Sequence, residues 1–411
     1  FTVISLTPSG GERWTYRYNG AGNDYDYAYS IVTGLDSNLY AAGATTGSGT
    51  SGDFTVISLT LSGGERWVYR YNGSGNSDDG ANSIVVGSDG NLYAAGWSIG
   101  SGTSEDFTVV SLTPLGGERW VYRYDGPVSA GGFCYSIVTG SDGNLYAAGA
   151  SIGSGTSADF TVISLTPSGG ERWVYSYNGP GNWDEFALSI VMGSDSNLYA
   201  AGWSGESGNF GDFTVISLDT SGAERWVYRY NGPGSWDDWA FSIVMGSDGN
   251  VYAAGWSGGS GNQYDFMVIS LTSSGGERWV YRYNGPANYD DAAYSIVMGP
   301  DANLYAAGMT VGSTTWADFT VISLDTSGVG RWIYSYNGPG NDYDGAFSIV
   351  MGSDGNLYAA GESAGNGSSS DFTVISLRPD VGVQERPACP EGSGGEAGLE
   401  LSACPTPALG G

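Results

Sequence analysis

A six-residue stretch, Phe1-Thr-Val-Ile-Ser-Leu6, returns every 53 residues along this chain with no insertion or deletion between copies. The later copies begin at Phe54, Phe107, Phe160, Phe213, Phe266, Phe319 and Phe372. A fixed period near 50 residues is typical of repeat architectures, in which each unit packs on its neighbours. The repeat outweighs the usual expectation that a chain of 411 residues forms two or three domains.

Each repeat contains four short segments with strand patterns. In residues 160–212 these are the β-branched run 160–165, the alternating run 172–177, the apolar run 188–192 and the small-residue run 198–202. Glycine, proline and asparagine turns separate them. The pattern predicts an all-β fold, a seven-bladed β-propeller with four antiparallel strands per 53-residue blade. From the axis outward we label the strands a (188–192), b (198–202), c (160–165) and d (172–177).

The two chain ends predict how the ring closes. The chain begins with strands c and d and finishes with a, b and c, so it has eight c strands but seven d strands. We therefore expect the N-terminal d strand, residues 13–18, to complete the last blade, closing the ring by mixing N- and C-terminal strands. One hexapeptide, Phe1–Leu6 or Phe372–Leu377, would then be displaced and free to pair with the edge of another molecule.

The repeat motifs resemble those of the SBBP repeat family. The likeness is carried by Tyr-Asn-Gly-x-Gly-Asn, Ser-Asp-Gly-Asn-Leu-Tyr-Ala-Ala-Gly and Asp-Phe-Thr-Val, which recur over residues 1–377. The resemblance implies a seven-bladed propeller of secreted or surface bacterial proteins, mostly without an assigned activity, and it brings no catalytic residues. Residues 378–411 are rich in Pro, Gly and Glu, and they predict a disordered tail or linker after the propeller domain, 1–377.

Composition excludes several classes of function. Fourteen arginines face 43 acids, giving a net charge of −29, which argues against nucleic acid or an anionic membrane as a partner. No apolar run is long enough to span a bilayer. Since His and Lys are both absent, acid–base chemistry would fall to carboxylates, Tyr or Cys134, and we expect no enzyme activity. The start at Phe1 rather than Met suggests that a leader was removed, hence an extracellular or cell-surface location.

The cysteines add little. Cys134 is expected to be a packed free thiol, whereas Cys389 and Cys404 lie in the tail and could pair.

The fourteen tryptophans fall into two groups. Seven occupy one position of strand d and predict blade-to-blade packing: Trp14, Trp67, Trp120, Trp173, Trp226, Trp279 and Trp332. The others lie around the b–c and d–a loops, which emerge on the same face of a propeller: Trp97, Trp183, Trp203, Trp236, Trp239, Trp256 and Trp316. We call this face, with its b–c and d–a loops, the variable face. Its aromatics predict a site for a protein or a carbohydrate, although rings that merely cover the blade tips are an equally open interpretation.

Twelve acids gather in the d–a loops: Asp24, Asp26, Asp78, Asp79, Asp184, Glu185, Asp237, Asp238, Asp290, Asp291, Asp342 and Asp344. One interpretation is that they cap backbone N–H groups or pair with strand-d arginines. The alternative is a hard cation such as Ca²⁺, which needs six to eight oxygen ligands. No other cofactor is indicated.

These observations favour a non-catalytic scaffold or adhesion module that binds through its variable face. The alternatives are a self-assembling structural protein that uses the surplus strand, and a carbohydrate-binding propeller. The expected partners are a protein or glycan at a surface, or a second copy of the chain.

Overall fold

All 29 regular elements in the described part of the chain are β-strands. The computed structural model describes residues 1–380 except 49–50, 101–103, 154–156, 207–208, 235, 260–262 and 366–369. Most of the predicted tail, including Cys389 and Cys404, therefore lies outside the described residues. No helix in the described ranges has the length and apolarity that a bilayer crossing requires.

The strands follow the predicted a to d order in every repeat. The a strands are β3 (Tyr27–Thr33), β7 (Gly80–Val86), β11 (Gly132–Thr139), β15 (Glu185–Met192), β19 (Asp238–Met245), β23 (Ala292–Met298) and β27 (Gly345–Met351). The b strands are β4 (Leu39–Thr46), β8 (Leu92–Ile99), β12 (Leu145–Ile152), β16 (Leu198–Glu206), β20 (Val251–Gly258), β24 (Leu304–Val311) and β28 (Leu357–Ser363). The c strands are β1 (Thr2–Leu6), β5 (Gly52–Leu59), β9 (Glu105–Leu112), β13 (Ala158–Leu165), β17 (Asn209–Leu218), β21 (Tyr264–Leu271), β25 (Ala317–Leu324) and β29 (Asp371–Leu377). The d strands are β2 (Glu12–Arg17), β6 (Glu65–Tyr71), β10 (Glu118–Tyr124), β14 (Glu171–Tyr177), β18 (Glu224–Tyr230), β22 (Glu277–Tyr283) and β26 (Gly330–Tyr336).

Strand pairing builds one blade from each a–b–c–d set. Blades 1 to 6 are four-stranded antiparallel sheets that run from β3–β6 to β23–β26, and blade 7 is the sheet β27–β28–β29. Strands β1 and β2 pair with each other and form a separate leading hairpin. The predicted all-β, seven-bladed propeller architecture is confirmed.

The chain ends differ from the expected closure. The sheet of blade 7 ends at β29, and β2 pairs with β1 rather than with β29. The prediction that one hexapeptide would be displaced is wrong, because both copies lie in sheets, Phe1–Leu6 beside β2 and Phe372–Leu377 beside β28. A local hairpin closes a short loop at little entropic cost, whereas pairing β2 with β29 joins opposite ends of the chain.

Burial explains the order of the strands. In blades 1 to 6 the b and c strands are buried almost throughout, whereas the d strands are half-exposed. The small Ala-Ala-Gly run suits the crowded b position, where a Cβ on Gly202 would overlap the carbonyl oxygen of Phe186. Cys134 is buried between strands as a free thiol, as predicted, and burial raises its pKa.

Each blade packs on the next through one repeated apolar cluster. Between blades 4 and 5, Tyr199 and Phe213 from one sheet pack with Ala240 and Ile243 from the other. The same set recurs with shifted numbers at the junctions of blades 1 to 7. On the other side of blade 1, the leading hairpin contributes Phe1 and Val3 to a smaller cluster.

The strand-d tryptophans fasten each blade to the following one. The indole N–H of Trp226 donates to the carbonyl oxygen of Ser273, in the c–d turn of the next blade, at 3.0 Å. The same bond is made by all seven strand-d tryptophans at 2.9–3.2 Å. Their predicted role in blade-to-blade packing is therefore confirmed, and we call this contact the tryptophan latch.

Acids that recur outside the d–a loops also have structural partners. In the a–b turn, Asp195 accepts a hydrogen bond from Tyr199 at 2.6 Å and lies 3.9 Å from Arg225. The aspartate before strand c pairs with a strand-d arginine in four blades: Arg70–Asp53, Arg123–Asp106, Arg229–Asp212 and Arg282–Asp265. Five strand-d glutamates accept a hydrogen bond from a tyrosine of the preceding blade or, for Glu65, of the leading hairpin, as Glu277 does from Tyr228 at 2.6 Å.

The latch predicts a difference between two glycine substitutions. Gly275 has φ +89°, and a Cβ there would lie 2.7 Å from the indole ring of Trp226. Gly249 has φ +75°, but a Cβ there would meet no atom within 4 Å. We expect Gly249→Ala to cost about 1 kcal/mol of unfolding free energy from backbone strain alone. Gly275→Ala should cost about 2–4 kcal/mol, because overpacking against the ring adds to that strain.

Urea unfolding of both variants against the natural chain measures the two free energies. Equal losses for Gly275→Ala and Gly249→Ala would contradict the latch as a tightly packed contact.

Candidate functional site

The acids of the d–a loops bind backbone amides. In four of the six pairs the first acid reaches the start of strand c in the preceding blade: Asp78 accepts from the Gly52 amide at 2.9 Å, and Asp237 from the Gly211 amide at 2.8 Å. Asp184 and Asp290 make the same bond to Ala158 and Tyr264. Asp24 and Asp342 instead accept from the amide of the next residue in the chain.

In every pair but that of Glu185, the second acid joins two segments of its own blade, and it is fully buried except at Asp26, which is half-buried. Asp79 accepts from the Gly73 amide at 2.7 Å and from the Ile99 amide at 2.8 Å. Asp26, Asp238, Asp291 and Asp344 accept corresponding pairs of backbone bonds. Their carboxylates already serve as caps, and the described ranges gather no group of three or more His, Cys, Asp or Glu side chains. This donor set does not fit a calcium ion, so the geometry favours the capping interpretation.

One junction carries excess buried charge. Glu185 stands where five other blades have aspartate, and neither of its buried carboxylate oxygens accepts a well-aligned hydrogen bond. The strand-d arginine that pairs with the aspartate before strand c in four other blades is replaced here by Ser176, which donates to Asp159 at 3.0 Å. Burial, together with the charges of Asp159 and Asp184, raises the pKa of Glu185 to about 8, and the nearby amides of Gly179 and Gly205 offset this only in part.

A continuous row of aromatic rings lies on the inner strands near the variable face. It begins at Trp97, continues from blade to blade and ends at Phe347, with neighbouring ring centroids 4.7–6.3 Å apart. We call this row the aromatic band, and its members are Trp97, Phe133, Tyr135, Phe186, Trp203, Trp239, Phe241, Trp256, Tyr264, Tyr294 and Phe347. These side chains are half-exposed or exposed, so the band is a surface rather than core.

Strand register builds the centre of the band. Phe186 pairs with Trp203 across β15 and β16, and Trp239 pairs with Trp256 across β19 and β20. Trp203 and Trp239 then stack between blades at 4.9 Å with an interplanar angle of 2°. In blade 2 the Trp97 ring fills the space beside Gly80, where a Cβ would overlap it. Parallel rings in contact present one broad apolar surface.

The structure gathers four of the seven predicted tryptophans into the band: Trp97, Trp203, Trp239 and Trp256. Trp236 stacks instead on Phe210 at 5.3 Å, while Trp183 and Trp316 are exposed and belong to no ring pair among the described residues. Sequence reasoning missed six members on strand a: Phe133, Tyr135, Phe186, Phe241, Tyr294 and Phe347. The sequence could have indicated these positions, because the first and third residues before the constant Ser-Ile-Val of strand a vary between repeats.

Polar features accompany the band. The indole N–H groups of Trp239 and Trp256 are buried and have no acceptor among the described residues. A cavity of about 250 Å³ lies between loops of the same face, with the Arg282–Asp265 ion pair in its lining. A smaller cavity of about 130 Å³ is lined by Phe133, Phe186 and Glu105, in the repeat that lacks the acid pair. The surface therefore combines apolar rings with exposed loop carboxylates.

Comparisons with known proteins are informative about fold alone. No protein-family model matches the sequence, and no curated protein matches it. Among solved structures, the chain is similar to a protein of unknown function from Dyadobacter fermentans DSM 18053, with 12% identity, a TM-score of 0.45, and coverage of 72% of this chain and 93% of that one. It is also similar to the β-propeller domain of the Trilobed protease from Pyrococcus furiosus, described as having an open velcro topology, with 8% identity, a TM-score of 0.48, and coverage of 87% and 97%. Since both scores are below 0.5, the propeller assignment depends on the chain's own strand pairing.

The buried loop acids predict a stability that falls as pH rises. Burial raises the pKa of Asp79, Asp238 and Asp291 to about 6, and that of Glu185 to about 8. Between about pH 4 and pH 8 the folded chain therefore binds more protons than the unfolded chain, so unfolding becomes easier with increasing pH. The a–b turn carboxylates do not oppose this trend: burial raises the pKa of Asp195, but hydrogen bonds from Tyr199 and Asn197 outweigh it, and the group titrates below this window.

We expect a lower melting temperature at about pH 8.5 than at about pH 5.5, and a smaller difference in Glu185→Gln, whose amide stays neutral. Glu12→Gln, on the exposed side of β2, is the control and should keep the natural pH dependence. A Glu185→Gln variant with an unchanged pH dependence would show that Glu185 does not carry the buried charge.

Proposed function

We propose that this chain is a non-catalytic protein-binding scaffold whose contact surface is the aromatic band on the variable face. The observation that carries the proposal is the unbroken ring contact from Trp97 to Phe347 across blades 2 to 7. Soluble proteins seldom expose contiguous apolar surface without a binding role, and Trp and Tyr are enriched where protein interfaces concentrate their energy.

The surroundings of the band define the chemistry of the partner. Asp78, Asp184 and Asp290 are exposed on the same face, and the chain as a whole is strongly acidic. A complementary partner would present apolar side chains flanked by Arg or Lys.

Location and family complete the proposal. The scaffold would act outside the cell or at its surface, as the resemblance to SBBP repeats implies. Absence of catalysis is part of the same proposal, and its support is the composition, which offers neither His nor Lys. Aromatic rings also bind sugars, so carbohydrate binding is the rival use of the same surface.

A peptide-selection experiment tests the choice between partner classes. Random peptides displayed on phage are selected on the immobilised full chain and counter-screened on a Trp203→Ala/Trp239→Ala variant. We expect enriched peptides to carry aromatic or aliphatic residues beside Arg or Lys, and to bind the double variant at least about ten-fold more weakly, as expected when central aromatic anchors are lost.

Trp316→Ala is the matched control, because this exposed tryptophan lies outside the band. Peptides that bind the double variant as well as the natural chain would contradict the proposal. A glycan array that yields Trp203-dependent binding while peptide selection yields none would replace it with the carbohydrate alternative.

A further inference from the structure

The face of blade 7 that points away from blade 6 is uncovered. The strand-c phenylalanine is completely buried in each of blades 1 to 6, as Phe319 illustrates at 0% exposure, but its counterpart Phe372 is 64% exposed. Val350 on strand a of blade 7 is also exposed, whereas its counterpart Val297 is half-buried. Blades 1 to 6 are each followed by another blade and have a strand d beside strand c, whereas blade 7 has neither among the described residues.

On blade 1, the face that points away from blade 2 is also uncovered over its inner half, at strand a. Ile31 is 52% exposed, while the six equivalent isoleucines of blades 2 to 7 are 2–7% exposed. Ala28 is exposed too, although its counterpart in blade 2, Ala81, is fully buried. The leading hairpin covers the outer half of this face with Phe1 and Val3.

The two uncovered faces are complementary. An internal junction between two blades shows which residues normally cover each kind of face. Between blades 6 and 7, Tyr305, Ala307 and Phe319 pack with Ala346 and Ile349. The blade 7 face carries the same set 53 residues later, Tyr358, Ala360 and Phe372. The blade 1 face carries the same receiving pair, Ala28 and Ile31.

A polar contact matches as well. At the junction of blades 6 and 7 the amide of Ile349 donates to the hydroxyl oxygen of Ser295 at 3.2 Å. The equivalent residues at the two ends are Ile31 and Ser348. The end faces are therefore complementary in both apolar and hydrogen-bonding groups.

We propose that a second copy of this chain covers the open face of blade 7, presenting the inner half of its blade 1 and its strand β2. In the structure the a strands pack in series from β3 to β27, and the exposure of Ile31 and Phe372 shows that the two end faces do not meet within one chain. Strand β2 of the second copy becomes the fourth strand of blade 7 and pairs with β29.

Charge and register support this pairing. In blades 1 and 2 the strand-d arginine contacts the aspartate before strand c, as Arg70 does with Asp53. The equivalent residues at the new edge are Arg17 of the second copy and Asp371 of the first. Strand β1 already pairs with β2 in the register of an internal c–d pair, since Ile4 lies opposite Thr15 as Ile57 lies opposite Val68.

Strand β29 replaces β1 in this assembly, because the two have the same sequence and need the same place beside β2. Strand β1 has one neighbour in its sheet, whereas β29 between β28 and the incoming β2 would have two. The contact joins different surfaces of identical chains, so copies add head to tail. It uses the end faces, whereas the members of the aromatic band on blades 2 to 6 lie away from both ends and only Phe347 lies on blade 7, so the contact is distinct from the proposed protein-binding surface.

Cysteine cross-linking tests the pairing directly. Thr15→Cys and Ile375→Cys are made in separate full-length chains, each also carrying Cys389→Ser and Cys404→Ser, and are oxidised after mixing. We expect a covalent dimer from the mixture and none from either chain alone. The positive control is a single chain with Ile163→Cys and Val174→Cys, which lie opposite each other within blade 3.

A single chain that carries both Thr15→Cys and Ile375→Cys distinguishes assembly between chains from closure of one chain into a ring. Head-to-tail pairing predicts a ladder of covalent oligomers. A cross-linked monomer alone, with no dimer from the mixture, would show that the chain closes on itself and would overturn the proposal. No cross-link at all, with the Ile163/Val174 control cross-linked, would also overturn it.

Sedimentation velocity over a range of concentrations supplies a second readout. Phe372→Ser should weaken association about ten-fold or more, since a large aromatic side chain is lost from the contact. Leu115→Ser, at an exposed c–d turn position outside both end faces, should leave association unchanged. Equal association of both variants would contradict the assigned surface.

Discussion

The contact of one blade with the next is the interaction on which the rest of this structure depends. A single four-stranded sheet cannot bury both of its faces, so each blade is stable only against its neighbours. The tryptophan latch adds a directed bond to the apolar cluster, since an indole such as Trp226 both packs on Gly275 and donates to Ser273 in the next blade. This contact recurs with the sequence period, so it aligns the inner strands of neighbouring blades in the same way at every junction. The alignment places variable residues of adjacent blades side by side, and it brings Trp203 against Trp239.

The same contact accounts for the ends of the molecule. A repeated junction has two different sides, and an open series must leave one of each uncovered. The leading hairpin partly covers one side because it repeats the outer half of a blade. Blade 7 has no equivalent cover, which explains why Phe372 is exposed when its internal counterparts are buried. The acidic junctions vary while the apolar cluster persists. Where Ser176 replaces an arginine, neither Asp159 nor Glu185 forms an ion pair with any described residue, yet the cluster between blades 3 and 4 is unchanged.

Much of the architecture could be predicted from the sequence, because the strands and their order depend on local patterns that recur in every repeat. The role of the strand-d tryptophans was predictable for the same reason. Pairing at the ends was not, since β1 and β29 have identical sequences and the choice depends on chain connectivity rather than on side chains. The aromatic band was predictable only in part: Trp203 and Trp239 stood out by residue type, whereas Phe133 and Tyr135 gain their place through contacts between blades that no single repeat contains.

Over the described residues this propeller is an open series of blades with two complementary ends. Electron microscopy of the purified full chain, imaged as single particles at low concentration and again at high concentration, shows whether the series is open and whether its ends pair. The account predicts open arcs of blades at low concentration and head-to-tail chains of such arcs at high concentration. Closed seven-bladed rings that stay separate at both concentrations would contradict it.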